Sequence, residues 1–128
     1  MLKIFISLRC MGLNYNEIVR RRNHISEDYI KQHRKHSHEI EIIDSLFSDY
    51  VPGESNPIEF LGRSIEKMKD ADVVLIPIDY KKSKGCKIEK EVAQIYGLPI
   101  NSYIYTDDYC YFLNDFVDTY EVENIYVK

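Results

Sequence analysis

The segment that decides the fold is ADVVLIPIDYKKSKGCKIEKEVAQIYGLPI, residues 71–100. Its first part, Asp72–Ile78, is nearly all apolar, which is typical of a strand buried on both faces of a parallel sheet. Ser83–Gly97 has the spacing of a helix, and its final glycine is placed to end that helix. Leu98–Ile100 then resumes an apolar strand pattern. Two strands joined by a helix form a parallel crossover, so the segment predicts an α/β fold.

Strands and helices alternate along the rest of the chain as well. The predicted strands are Leu2–Leu8, Glu39–Asp44, Asp72–Ile78, a fourth made of 98–100 and 103–105, and a short terminal Ile125–Val127. The predicted helices run from a cap at Asn14 or Asn16 to about His36, from Pro57 through Met68, from near Cys86 to Gly97, and from Asp107 to about Tyr120. We therefore expect one doubly wound domain over residues 1–128, a flavodoxin-like or Rossmann-like three-layer sandwich with a parallel sheet of four or five strands.

The expected strand order, 2-1-3-4, locates a candidate site. Ligands of such sheets bind beyond the carboxyl ends of the strands, where the order reverses, here between the first and third strands. Three segments lie at that place: SLRCMG at 7–12, DSLFSDY at 44–50 and DYKKSKGCKIE at 79–89. Any site should be built from them.

The composition is that of one soluble domain, with 128 residues, 45% hydrophobic, 30% charged and a net charge of -4. No apolar run approaches the roughly 20 residues that cross a membrane, and no signal peptide is visible, so we expect a cytoplasmic protein. The three cysteines, Cys10, Cys86 and Cys110, lack the spacing of a zinc site or a disulfide framework. No metal or other cofactor is expected.

Basic residues concentrate in residues 1–38, where eight Lys or Arg face three Asp or Glu. This excess can be read as a nucleic-acid patch. A solvated helix face explains it better, because apolar residues such as Ile18 and Ile25 alternate with the charges at helical spacing. We therefore do not expect nucleic-acid binding. The four histidines of the same segment, His24, His33, His36 and His38, show no metal-ligand spacing.

Two glutamates near the start of the third helix are the first candidates for chemistry. On a helical wheel the predicted buried stripe consists of Ile88, Val92, Ile95 and Tyr96. Glu89 and Glu91 flank it on opposite sides, each roughly 80° from its centre. The small Ala93 one turn after Glu89 favours close approach on that flank, whereas Lys87 makes the flank of Glu91 look solvated. The alternative is that both glutamates complement the helix dipole.

A carboxylate in a water-poor crevice can attack an anomeric carbon and form a glycosyl-enzyme intermediate. Asp44 and Asp79 close their strands at the same sheet edge, where they could orient a sugar. The helix start near Cys86 can hold a phosphate or a carboxylate, and Gly85 allows close backbone approach. The Cys86 thiol itself is either a reactive group at a helix N-terminus or, more simply, a small packing residue.

Four segments carry a family resemblance: KIFISL with the Met- and Gly-containing loop after it, ADVVLIP, GCKIEKEVA and YGLPI. They resemble a small bacterial and phage family of unknown function whose members open with I-S-L-P-M-x-G and carry G-C-R-I-E-H-E-V-A. That family is similar to the nucleoside 2-deoxyribosyltransferases, which carry D-x-G-T-x-x-E-x-G-x-A and then G-K-P-V. The closer resemblance covers most of residues 2–100, and the more distant one rests mainly on 71–100.

The resemblance implies roles for particular residues. Gly85 matches the motif glycine and Glu89 the nucleophilic glutamate, so the resemblance selects Glu89 over Glu91. Ser83 stands where the transferases have an acid, and Phe5 falls near the place where some of them supply a tyrosine hydroxyl. The resemblance also implies a doubly wound fold and homo-oligomers in which neighbours complete each site.

Three hypotheses follow. In the first, the protein cleaves or transfers the N-glycosidic bond of a nucleoside or nucleotide, with Glu89 as nucleophile and Asp44 and Asp79 orienting the sugar. In the second, the same fold binds a nucleotide or a nucleotide-derived signal without turnover. In the third, the tyrosine-rich segment 103–126 is a protein interface. For the first two, the predicted substrate-binding residues are Phe5, Ser7, Leu8, Arg9, Met11, Gly12, Gly85 and Cys86.

Overall fold

The structure, a computed structural model, describes residues 1–10, 12–33, 39–51 and 53–118. Eight regular elements lie in these ranges: β1 Leu2–Ile6, α1 Tyr15–Gln32, β2 Ile40–Ile42, α2 Pro57–Lys67, β3 Val73–Pro77, α3 Lys84–Ile95, β4 Ile100–Tyr105 and β5 Cys110–Phe112. Short 3-10 turns at Met68–Asp70 and Tyr80–Lys82 precede β3 and α3.

The strands form one sheet in the order β2-β1-β3-β4-β5. Strands β1 to β4 are parallel, and β5 runs antiparallel to β4. The predicted order 2-1-3-4 is therefore confirmed, with the reversal between β1 and β3. The chain is an α/β protein with a mostly parallel five-stranded sheet, an arrangement compatible with a Rossmann-like fold.

Helices cover both faces of the sheet, because side chains alternate along each central strand. On one face, Ile4 and Ile6 of β1 and Leu75 of β3 pack with Ile25 and Tyr29 of α1. The opposite face has its own cluster, whose members come from β1, β3 and α3: Phe5, Val74, Ile76, Cys86 and Ala93. The sheet thus separates two cores, and residues of the central strands are buried on both sides.

The predicted helix starts are confirmed by their caps. The Asn14 side chain accepts a hydrogen bond from the Glu17 N–H at 2.8 Å, and Asn56 caps α2 with Pro57 as its first residue. Helix α1 ends earlier than predicted, at Gln32, and His36 lies outside the described residues. At the end of α3, Gly97 has the left-handed conformation, with φ +72, that favours glycine.

The helix predicted from Asp107 to about Tyr120 is wrong over its described part. Thr106 and Tyr109 instead form a turn, in which the Thr106 N–H donates to the Tyr109 carbonyl at 3.1 Å. Residues 110–112 then pair with β4 as an edge strand. A Cys-Tyr-Phe run suits a strand, and its alternation of buried Cys110 with exposed Tyr111 has period two. The predicted terminal strand Ile125–Val127 lies outside the described residues.

The predicted buried stripe of α3 is wrong at three of its four positions, and only Val92 packs against the core. Ile88, Ile95 and Tyr96 are 42%, 72% and 77% exposed, and the side chains that α3 buries are those of Cys86, Glu89 and Ala93. Small Cys86 and Ala93 allow the helix to pack closely against the sheet, where larger side chains would hold it away. Glu89 therefore lies on the buried face itself rather than on its flank.

No helix in the described part of the chain combines the length and the apolar character that a membrane span needs. 

Packing of α1 against the sheet can be tested with Ile25→Ala. Because Ile25 is fully buried, we expect the truncation to lower the free energy of unfolding by about 2–5 kcal/mol. Urea denaturation followed by circular dichroism measures this change. The matched control is Ile58→Ala, at a residue 80% exposed on α2, which should change stability by about 0.5 kcal/mol or less. Equal effects of the two substitutions would contradict the packing described here.

Candidate functional site

A cavity of about 370 Å³ opens at the carboxyl edge of the sheet, between α1, α2 and the start of α3. All three predicted segments contribute to its wall: Leu8 and Cys10 from the first, Ser45, Leu46, Phe47 and Tyr50 from the second, and Ser83, Lys84, Gly85 and Glu89 from the third. The helices add residues that sequence reasoning missed, among them Tyr15, Phe60, Leu61 and Ser64. The cavity therefore lies where the strand order predicted a site.

Glu89 supplies the carboxyl group of this wall. Its side chain is 5% exposed and accepts two hydrogen bonds, from the Ser7 hydroxyl to Oε1 and from the Ser64 hydroxyl to Oε2, both at 2.7 Å. Ser7 directly follows β1, Ser64 lies on α2, and Glu89 lies on α3. Among the described residues, no lysine or arginine forms an ion pair with Glu89. Three elements therefore converge on one carboxyl group.

Burial raises the pKa of Glu89 from 4.5 to about 7, and the hydrogen bonds from Ser64 and Ser7 act in the opposite direction. Removal from water disfavours the charged carboxylate, whereas hydroxyl donors favour it. Near neutral pH the group is therefore present in both its ionised and its protonated form. A carboxyl group with such a pKa in a cavity is a candidate for nucleophilic or acid-base chemistry.

Ser83, which stands at the position of the motif acid, is the N-cap of α3. Its hydroxyl oxygen accepts a hydrogen bond from the Cys86 N–H at 3.3 Å, and its side chain is buried at the cavity wall. Ser and Asp serve almost equally well at an N-cap. The local fold at the start of α3 is therefore satisfied without an acid.

The cysteines near the cavity are poor nucleophiles. Burial raises the pKa of the Cys86 thiol to about 11 and that of Cys10 to about 12. Both remain thiols at neutral pH, and the thiolate is the reactive form. Cys86 is fully buried in the core cluster and fits the packing role, whereas Cys10 lines the cavity.

Asp44 and Asp79 are not brought together with Glu89 on the cavity wall. Asp44 is 76% exposed with a carboxylate oxygen 3.9 Å from Arg22, and Asp79 faces Arg9 at 3.8 Å with both side chains partly exposed. Each aspartate ends its strand at the predicted edge but turns toward a surface arginine. The structure therefore gives neither of them a direct contact with the cavity.

The other predicted binding residues fall into three groups. Leu8 and Gly85 line the cavity, and Ser7 reaches it indirectly through its hydrogen bond to Glu89. Phe5 is fully buried in the core, and Gly12 is an exposed turn residue with φ +79. Met11 lies outside the described residues.

An aromatic cluster of Phe47, Tyr50 and Phe60 forms part of the cavity wall. The Arg63 guanidinium lies over the rings of Phe47 and Phe60, 4.1 and 4.8 Å from their centroids, and Asp49 accepts its hydrogen bond at 3.0 Å. Tyr50 packs edge-on against Phe60. This cluster joins the loop after β2 to α2. The sequence signal was the placement of two aromatic residues in an otherwise polar loop.

In the described ranges, no group of three or more His, Cys, Asp or Glu side chains is placed to hold a metal ion. Comparisons with known proteins give no significant match: no family model, no curated protein and no solved structure matches the chain. 

The raised pKa of Glu89 predicts a pH-dependent stability. Below about pH 4.5 the carboxyl group is protonated in both folded and unfolded chains, so no charge is buried on folding and the free energy of unfolding is not lowered. As the pH rises toward about 7, the unfolded chain releases the proton first, and the folded state loses stability by roughly 3 kcal/mol. Glu89→Gln cannot ionise, so its stability relative to the wild type should rise by that amount over the interval.

Urea denaturation at a series of pH values measures the difference between the two proteins. The matched control is Glu91→Gln, because the Glu91 side chain is 59% exposed on the same helix. This control should reproduce the pH dependence of the wild type. A constant difference between Glu89→Gln and wild type across the interval would contradict a buried, titrating Glu89.

Proposed function

We propose that the protein cleaves or transfers the N-glycosidic bond of a nucleoside or nucleotide, with Glu89 as the nucleophile. The observation that carries this proposal is one buried carboxyl group, held by two hydroxyls, on the wall of a cavity that is otherwise mostly apolar and aromatic. The motif resemblance independently selects the same residue. Glu91, its sequence neighbour, points to solvent.

The cavity wall suits a nucleobase. Tyr15, Phe47, Tyr50 and Phe60 present rings to it, and aromatic side chains stack on the faces of bases. Its volume of about 370 Å³ falls within the range of small-molecule sites, about 300–1,000 Å³. A base held against these rings would leave its sugar to face the polar part of the wall, which includes Ser45, Ser64, Ser83 and Glu89.

A single reacting carboxylate supports a double displacement. In that mechanism the carboxylate attacks the anomeric carbon, and water or a second base then attacks the glycosyl-enzyme ester. Glu89 is positioned at the wall by Ser7 and Ser64 and forms no ion pair with a described lysine or arginine. With a pKa of about 7, a substantial fraction of Glu89 is ionised at neutral pH, as a nucleophile requires.

A binding module without turnover is the second candidate. It is favoured by one observation: Asp44 and Asp79, the residues expected to orient the sugar, do not line the cavity. In this case the carboxyl group of Glu89 would hydrogen-bond the polar edge of a bound base. The aromatic wall would provide the remaining affinity.

Base release from a panel of nucleosides, deoxynucleotides and NAD tests the first proposal. We expect release by the wild type, a loss of about 10³-fold or more in Glu89→Ala because the nucleophile is absent, and retention in Glu91→Ala. Chromatography of the free base measures the rate. Circular dichroism of both variants shows whether each has kept its fold.

Release that persists in Glu89→Ala would contradict the proposal. Thermal stabilisation of the wild type by a nucleotide, without any free base, would favour the binding module. If no compound shifts the melting temperature or yields a base, both candidates fail.

We also propose self-association through α3. The resemblance implies homo-oligomers, and α3 exposes an apolar stripe of Ile88, Ile95 and Tyr96. An apolar stripe exposed on a helix can be buried against the same stripe of a second copy. Of the tyrosines in the third hypothesis, Tyr103 is buried in the core, whereas Tyr109 and Tyr111 are 41% and 52% exposed. Residues from 119 onward lie outside the described ranges.

Light scattering tests this association with Ile95→Glu. A charge in the middle of an apolar contact should reduce the measured mass to that of the monomer. Gln94→Glu, the same change at the neighbouring exposed position, should leave the mass of the wild type. A monomeric wild type would contradict the proposal.

A further inference from the structure

The two oxygens of Glu89 have different surroundings, and Oε1 belongs to the interior. Its donor, Ser7, is fully buried, and both its backbone N–H and its backbone carbonyl are hydrogen-bonded to residues of the sheet. The Ser7 N–H donates to the Leu75 carbonyl at 2.9 Å, and the Ser7 carbonyl accepts from the Tyr103 hydroxyl at 2.5 Å. Ser7 does not line the cavity. The bond from its hydroxyl to Oε1 is therefore made away from any ligand.

The other oxygen, Oε2, is bound at the cavity wall. Its donor, Ser64, is only partly buried, lies on α2 rather than in the sheet, and lines the cavity together with Glu89. Because Ser64 lines the cavity and its hydroxyl donates to Oε2, a ligand atom that reaches the Ser64 hydroxyl is also close to Oε2. Both serine hydroxyls therefore lie 2.7 Å from a Glu89 oxygen, but only Ser64 can also contact a ligand in the cavity.

We propose that Oε2 is the oxygen that bonds to the sugar, that Ser64 is a catalytic residue which promotes breakdown of the glycosyl ester, and that Ser7 is a positioning residue. This inference rests on the proposed function and assigns separate steps to two residues of its site. It follows from the placement of the two hydroxyls, one in the cavity wall and one behind the carboxyl group.

The first step uses an electron pair of Oε2 to form a bond to the anomeric carbon. The bond from that carbon to the base nitrogen breaks, and its electron pair leaves with the nitrogen, which takes a proton from water. Oε2 is then the bridging oxygen of an ester, and Oε1 is the ester carbonyl oxygen. A bridging ester oxygen is a weaker acceptor than a carboxylate oxygen, so the bond from Ser64 weakens while Ser7 keeps its acceptor.

The second step breaks the ester and restores the hydrogen bond from Ser64 to Oε2. The oxygen of water, or the nitrogen of an acceptor base, attacks the anomeric carbon, and the bond from that carbon to Oε2 breaks. The electron pair returns to Oε2, the incoming group loses its proton to solvent, and Glu89 is again a carboxylate. The Ser64 hydroxyl donates to Oε2 as its charge develops, which stabilises the leaving carboxylate. Ser64 therefore favours ester breakdown and opposes ester formation.

The experiment is acid quenching of a steady-state reaction, followed by intact-mass spectrometry of the chain, with any substrate of the panel that the wild type cleaves. In Ser64→Ala we expect ester breakdown to slow by about 10- to 100-fold, the effect of losing a hydrogen bond to a charged group, so that the sugar ester accumulates. Ser64→Thr keeps a hydroxyl and should restore the low ester fraction of the wild type.

Ser7→Ala should behave differently. Loss of the interior donor leaves the carboxylate less stabilised, so the acidic limb of the pH–rate profile should move to higher pH, without accumulation of the ester. Ser26→Ala is the matched control, because Ser26 donates to a carbonyl within α1 and does not line the cavity. It should leave rate, ester fraction and pH profile unchanged.

Two results overturn this inference while leaving the proposed function in place. One is a Ser64→Ala protein whose rate and ester fraction equal those of the wild type, and the other is an ester that accumulates in Ser7→Ala instead. A wild type that releases no base, or release that persists in Glu89→Ala, overturns the proposed function and this inference together. The two failures are therefore distinguishable.

Discussion

The site depends on the two hydrogen bonds, from Ser7 and Ser64, that stabilise the buried carboxyl group of Glu89. Burying a carboxylate is costly, and most proteins offset the cost with a cation, a metal ion or several backbone donors. Here two hydroxyls do so, one at the end of β1 and one on α2. Such an arrangement leaves the pKa near neutrality and keeps the group close to a cavity, which favours reactivity over stability.

The packing of α3 follows from the same requirement. For Glu89 to reach Ser7, the helix must approach the end of β1 closely, and Cys86 and Ala93 on the same face are small enough to permit this. The large apolar residues Ile88 and Ile95 are then left on the outer face. Placing a carboxyl group on the buried face therefore has a visible consequence, an exposed apolar stripe on the opposite side of the helix.

Much of the fold could be predicted from local signals. The cap at Asn14, the proline at the start of α2, the apolar run of β3 and the alternation of elements were sufficient for the strand order and for the edge where the cavity lies. The edge strand β5 was missed because an aromatic run next to acidic turn residues is compatible with a helix until its pairing with β4 is known. Single-element patterns do not contain that tertiary contact.

The site was predicted in part, for a related reason. Glu89 was singled out by its motif, but the α3 face was misassigned because a helical wheel weighs hydrophobicity and not how closely a helix packs. Ser64 carried no signal, since one serine on a helix has no pattern. Its role depends on the tertiary contact between α2 and α3, which brings the Ser64 hydroxyl to Glu89 at the cavity wall.

Ser83 connects the resemblance to the structure. An acid at this position would cap α3 as the serine does, but it would also place a second negative charge on the wall that Glu89 shares. With serine there, Glu89 supplies the carboxyl group of the described wall, and the other polar side chains on it are hydroxyls and the Lys84 ammonium group. In the proposed reaction, a sugar in this cavity would therefore meet hydroxyl groups, one ammonium group and a single carboxyl group. Without a neighbouring carboxylate, the pKa of Glu89 is set by its burial and by the hydrogen bonds from Ser64 and Ser7.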